Sequence, residues 1–205
     1  MNARLEAFCD AVFAFALTLL IIDIRIPQMQ EIHDRAALWS ALRGLGPAVF
    51  AFLLSFGVIL VTWVNHHNTL KLVHKSSPAF LYSNGFLLLG VVCIPFTTSL
   101  LGAFVLTDAA APAITLYNSL LAIQALGWLA ITSAVLRRQL WTDAGAAAAI
   151  RERRNRAYGA LGLYSMLALL GLWLPRTAAV ITTTTWVFWL ALSLGTPRSA
   201  GAAAR

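Results

Sequence analysis

Residues 4–26 read RLEAFCDAVFAFALTLLIIDIRI, and the fold turns on whether this stretch crosses a membrane. Asp10 and Asp23 leave only residues 11–22 between them, roughly 18 Å of helix at about 1.5 Å per residue, short of a hydrocarbon core about 30 Å thick. A cleaved signal peptide is the alternative for so short a run. An acid where the n-region is normally basic, and the lack of an A-x-A-like site before Asp23, argue against it. The segment therefore reads as a spanning helix over 5–26 that carries two carboxylates at membrane depth. An aspartate at the centre of a span costs about 2.5–3.5 kcal/mol on insertion scales, so such groups face protein or water rather than lipid. The first span is accordingly expected to be an inner helix.

The rest of the chain follows the same pattern. Of its 205 residues, 60% are hydrophobic and 11% charged, whereas a soluble domain carries about a quarter charged residues. Charge-free stretches run over 44–70, 76–107, 109–136, 157–175 and 177–197, each long enough or nearly so to cross once. The expected fold is an all-α integral membrane protein of six transmembrane helices, over about 5–26, 47–66, 79–106, 112–136, 157–175 and 177–195. Together they form a single domain over 1–197, followed by a short tail, 198–205. Pro27, Pro47, Pro112 and Pro175 fall at the span limits, where proline is tolerated; Pro95 lies inside the third span and is expected to kink it. The mixed-charge segment 25–43 reads as a short interfacial helix and 141–156 as an Ala- and Arg-rich link. The Thr182, Thr183, Thr184 and Thr185 run reads as packing in preference to an ion path, each hydroxyl bonding back to its own helix or across to a neighbour.

Orientation follows from the basic residues. With six spans, Arg4, Lys71, Lys75, Arg137, Arg138, Arg151, Arg153, Arg154, Arg156, Arg198 and Arg205 fall on one side, against Arg25, Arg35, Arg43 and Arg176 on the other. The richer side is cytoplasmic, which places both termini there. Topology thus accounts for the net charge of +7, and no nucleic-acid partner is needed to explain it. Cys9 and Cys93 both lie in spans and offer no disulfide framework or metal spacing. The excess of Arg over Lys and the abundance of Ala fit a bacterial plasma membrane. No H-E-x-x-H, G-x-S-x-G or Walker pattern supports an enzyme, and no cofactor is implied.

Polar groups gather at one depth. Arg4 and Asp10 begin the first span, Trp63, Asn65, His66 and His67 end the second, and Asn84 lies early in the third. A carboxylate there needs donors, because an unpaired polar group in an apolar setting is costly. Three readings stay open: a structural cluster locking three helices together, a pH-sensitive gate through the histidines, and zinc held by His66, His67 and His74, for which no cysteine or well-spaced carboxylate completes a ligand set. At 100° per residue, Phe8, Ala11, Val12, Phe15, Thr18, Leu19, Ile22 and Ile26 share one stripe of the first span, while Asp10, Leu17, Ile21 and Ile24 lie on the reverse. Such a stripe packs against a helix or lipid, or lines a pore. Asp23, near the outer end, either attracts cations at a mouth or snorkels to water.

These residues resemble the transmembrane protein 175 potassium channel family, whose prokaryotic members are similar to a single six-helix repeat. The family's R-x-x-x-F-S-D motif is matched by Arg4, Phe8 and Asp10, followed by Thr18, Leu19 and Leu20 at its T-L-L element. Its W-x-x-H-H element is matched by Trp63, His66 and His67, its third-helix Asn by Asn84, and its P-F pair by Pro95 and Phe96. The resemblance implies a homotetramer whose four first helices surround the ion path, with rings of apolar side chains at Phe15, Leu19 and Ile22, beside Thr18, as the constriction. It implies a passive channel for potassium and other monovalent cations, preferring potassium. Cys9 departs from the motif serine, and Phe15 stands where the family usually places Ile or Leu. A proton-coupled or other secondary transporter, relaying protons through Asp10, His66 and His67, is the alternative.

Overall fold

A computed structural model describes residues 3–22, 24–25 and 32–195. Eight helices occur among them: α1 (Ala3–Ile22), α2 (Arg35–Gly44), α3 (Gly46–Leu70), α4 (Pro78–Val92), α5 (Ile94–Phe104), α6 (Ala110–Arg137), α7 (Ala144–Gly171) and α8 (Pro175–Gly195). Among the described residues four stretches are long and apolar enough to cross a membrane: α1, α3, α4 with α5 as Pro78–Phe104, and α6. Large apolar side chains such as Leu89, Phe96, Leu106 and Met166 lie on the outside, as a lipid solvent requires. The chain is a multi-pass membrane protein.

Local chemistry explains the boundaries. Pro95 is the second residue of α5 and lacks an N–H, so the third stretch divides at Cys93 into α4 and α5. Asp34 caps α2, accepting from the Ala37 N–H; α2 keeps Leu38, Trp39 and Leu42 exposed. The segment 141–156, expected as a link, is instead mostly helix. Asp143 accepts from the Ala146 N–H at 2.9 Å, and α7 then runs unbroken through the arginines to Gly171. Ala and Arg are among the strongest helix formers, and hydropathy, which sets span limits, is blind to that preference. The Ala146 N–H, with help from the Thr142 hydroxyl, holds the exposed Asp143 carboxyl below its ordinary pKa.

The core lies between α1, α3, α5 and α6, where Cys9, Phe13, Ala16 and Leu20 meet Ala51, Val58 and Ile59. Polar groups inside it are bonded to one another. Thr98 donates to Ser55 Oγ at 2.6 Å, Ser55 shares a 3.0 Å bond with the Tyr117 hydroxyl, and Thr182 donates to Asn118 Oδ1 at 2.8 Å. Thr182, Thr183, Thr184 and Thr185 each also bond back to the carbonyl four residues earlier. Close helix approach uses a small residue: a Cβ placed on Gly102 would stand 2.9 Å from Ala48 Cα.

Two linkers are clasped together at one end of the bundle. His74 N donates to Leu140 O and Thr142 N to Leu72 O, both at 3.0 Å, around a bridge between Val73 and Trp141. The clasp begins where α6 ends in a left-handed turn. Gln139 has φ 51°, while Leu140 N reaches back to Val135 O and Gln139 N to Leu136 O, the bonding of a Schellman cap whose left-handed position favours glycine. Replacing Gln139 with Gly is therefore expected to raise the thermal midpoint. The left-handed penalty of about 1–2 kcal/mol for an L-residue outweighs the roughly 0.5–1 kcal/mol of extra chain entropy that Gly carries. A midpoint that falls on calorimetry of the purified protein would contradict that ledger.

Candidate functional site

The candidate site is the exposed face of α1 together with the polar bonds that orient it. α1 is apolar almost all round, so its rotation is decided by contacts rather than by a strong amphipathic pattern. Cys9, Phe13, Ala16 and Leu20, spaced four, three and four apart, are at most 1% exposed and form the seam against the bundle. On another side Phe8, Phe15 and Ile22 are 60%, 62% and 71% exposed. Between them Ala11 and Thr18 are exposed and Val12 and Leu19 half-buried. The Thr18 hydroxyl donates to its own helix at Phe15 O, 2.8 Å away. Among the described residues nothing else covers Phe15, Thr18 or Ile22. Asp23 lies outside the described residues.

Asp10 points into the protein. Its Oδ1 accepts from the indole N–H of Trp63 on α3 at 2.8 Å, a bond strengthened by the acceptor's charge. The Trp63 ring stacks on His67, whose Nδ1 lies 3.0 Å from Glu6 Oε1. A second set sits deeper. His66 is 1% exposed and its Nε2 is 2.7 Å from Asn84 Oδ1. Asn84 Nδ2 donates to Phe80 O at 2.7 Å, which fixes the amide's orientation. The oxygen of Asn84 must then receive a proton from His66, and the neutral ring carries its hydrogen on Nε2. Phe13 and Trp128 flank the His66 ring, at centroid distances of 5.4 and 6.3 Å.

The expected cluster is thus two adjacent sets. Asp10 with Trp63, and His67 with Glu6, form one; His66 with Asn84 forms the other. Arg4 and Phe8 join neither: both are exposed, and among the described residues Arg4 makes no hydrogen bond or ion pair. Glu6, Phe13 and Trp128 complete the sets although no motif marks them. Their only sequence signal is helical spacing, Glu6 one turn before Asp10, and Phe13 four residues after Cys9. Among the described residues no three of His, Cys, Asp and Glu converge on a point that could hold a metal ion. His66 and His67 face different partners, which leaves the zinc reading without a ligand set there.

Removing the Trp63 N–H leaves the partly buried Asp10 carboxylate without its indole donor. Trp63→Phe keeps the ring and is expected to lower stability by about 1–3 kcal/mol, the cost of an unpaired buried polar group. Adding Asp10→Asn should recover part of the loss, as read by thermal unfolding of all three variants. Additive losses would mean that the two side chains are not coupled.

Comparison with known proteins gives concordant matches. Residues 4–95 match the family model described as endosomal/lysosomal potassium channel TMEM175. A protein named as a potassium channel from Chamaesiphon minutus is 42% identical over 146 residues, 71% of this chain and 67% of that protein. Another so named, from Streptomyces collinus, is 36% identical over 185 residues, 87% of this chain and 86% of its own length. The crystal structure described as a lysosomal potassium-selective channel TMEM175 homolog from Chamaesiphon minutus superposes with a TM-score of 0.84 at 30% identity, covering 95% of this chain and 98% of that one.

Proposed function

The chain belongs to the TMEM175 family of potassium channels, and from that membership we propose that its α1 stripe lines the conduction path of a passive, potassium-permeable channel. It is a channel and not an enzyme. In this reading α7 and α8 cross the membrane as the fifth and sixth spans, both termini are cytoplasmic, and four copies assemble around an axis in a bacterial plasma membrane. Potassium, with other monovalent cations behind it, passes between the four α1 helices.

The observation that carries the reading is the two-sidedness of α1. One seam is fully buried and Asp10 is held inward by Trp63, while Phe15, Thr18 and Ile22 remain uncovered among the described residues. An apolar ring made of four Phe15 or Ile22 side chains closes by dewetting. When narrowly open, it favours the cation that sheds water more cheaply, which is potassium over sodium. The phenyl group adds a π-face that attracts a partly dehydrated cation. Asp23, next in sequence after α1, would in this reading raise the local cation concentration at a mouth of the path.

The transporter alternative has no such support. A proton relay from Asp10 to the histidines needs a chain of bonded groups, but Asp10 is bonded to an indole and His66 to an amide oxygen. Neither partner passes protons onward between them.

Ion flux from liposomes reconstituted with the purified protein tests the proposal. Phe15→Ala is expected to raise cation flux and to shrink the reversal potential measured between potassium on one side and sodium on the other. Flux and selectivity equal to those of the unsubstituted protein would remove Phe15 from the constriction.

A further inference from the structure

A cavity of about 580 Å³ opens between α3, α6, α7 and α8, away from α1. Three hydrogen-bonding atoms of residues in its lining have no partner among the described residues: Gln124 Nε2, the Tyr164 hydroxyl and Trp186 Nε1. Gln124 and Tyr164 are each only 4% exposed, so their polar atoms lie within the wall of this space and away from bulk solvent. Buried polar groups are bonded in nearly all folded proteins, and here an amide N–H, a phenol and an indole N–H lie unsatisfied in one cavity. The Tyr164 and Trp186 rings stack at 6.1 Å with 13° between planes, giving the wall a flat aromatic face.

The rim is cationic. Arg153 and Arg156 line it, with Glu152 paired to Arg156, and Arg151 and Arg154 lie on the same turn of α7. Arg153 is held in place by bonds to Asn65 O and Thr69 Oγ1 on α3, at 3.0 and 2.7 Å. Two guanidinium groups above a set of unpaired donors match an anion rich in acceptor atoms. The volume lies within the range of small-molecule sites, about 300–1,000 Å³, and is far larger than inorganic phosphate requires. Basic pockets between membrane helices suit phosphate headgroups.

We propose that this cavity binds a phosphate ester, with the phosphate at Arg153 and Arg156 and the acceptor atoms of its organic body taken by Gln124, Tyr164 and Trp186. The same chemistry comes from two sources, an anionic glycerophospholipid of the surrounding leaflet or a soluble nucleoside monophosphate. None of these residues belongs to the α1 stripe, so binding and conduction fail or succeed separately.

The thermal midpoint of the purified full chain is measured in phosphatidylcholine nanodiscs, with and without added phosphatidylglycerol, and separately with adenosine monophosphate or inorganic phosphate. A saturable rise with phosphatidylglycerol alone assigns the lipid, and one with adenosine monophosphate alone assigns the soluble ester; a rise with both leaves the shared chemistry as the determinant. Tyr164→Phe and Gln124→Met are the variants, the second keeping the unbranched Cγ that lies against Gly90. Each is expected to weaken binding by about tenfold, the loss of one good hydrogen bond, without lowering the ligand-free midpoint. A purely structural role predicts the reverse, a lower ligand-free midpoint. The proposal is overturned if neither ester raises the midpoint, if inorganic phosphate does so as well as the esters, if both variants bind as tightly as the unsubstituted protein, or if both lose ligand-free stability instead.

Discussion

The 2.8 Å bond from the Trp63 indole to Asp10 sets the rotation of α1. A helix that is apolar on every side has many nearly equivalent ways to pack. One carboxylate removes the degeneracy, because only a rotation that brings it to a donor avoids a large desolvation cost. Once Asp10 is turned to α3, Cys9 and Phe13 must enter the seam. Phe15 and Ile22 must then face outward, for they lie too far around the helix to share it. A single polar contact near the start of α1 thereby determines which side chains stand exposed more than three turns later.

The same logic recurs wherever the bundle holds polar atoms. Between apolar helices in an apolar solvent there is little hydrophobic force to choose one register over another, so packing and hydrogen bonds choose it. Ser55, Thr98 and Tyr117 tie three helices at one level, and Asn118 with Thr182 ties α6 to α8. Gly102 allows α5 to approach the α3 backbone at a distance no larger residue permits. These contacts are short, directional and few, which suits a membrane protein whose exterior cannot discriminate between neighbours.

How much of this can be read from the chain depends on the physics of each residue. Asp10, Trp63, His66 and Asn84 are legible because a polar group in an apolar segment has few places to go, and each is found with a partner from the expected set. The break beside Pro95 is legible because proline has no N–H to give. Phe13 is not, since it is one of many apolar residues on a helix without a distinct polar face, and only the three-dimensional seam singles it out. The helix over 144–156 is obscured for another reason: charge marks where a span stops, yet the same arginines continue the helix. The separation of His66 from His67 is likewise invisible, because neighbours in sequence point 100° apart and meet different helices. Gln124 and Tyr164 look like ordinary residues of apolar spans until the space in front of them is seen.

Arg153 reaches across to α3 from 88 residues further along the chain. The carbonyl end of a helix carries partial negative charge, and a guanidinium lodged there offsets it. Lys71 already stands at the C-cap of α3, so Arg153 adds a second cation there, and one that is made only when α7 is. The last turn of α3 is therefore braced by a residue from the second half of the chain, and the two halves share one polar joint.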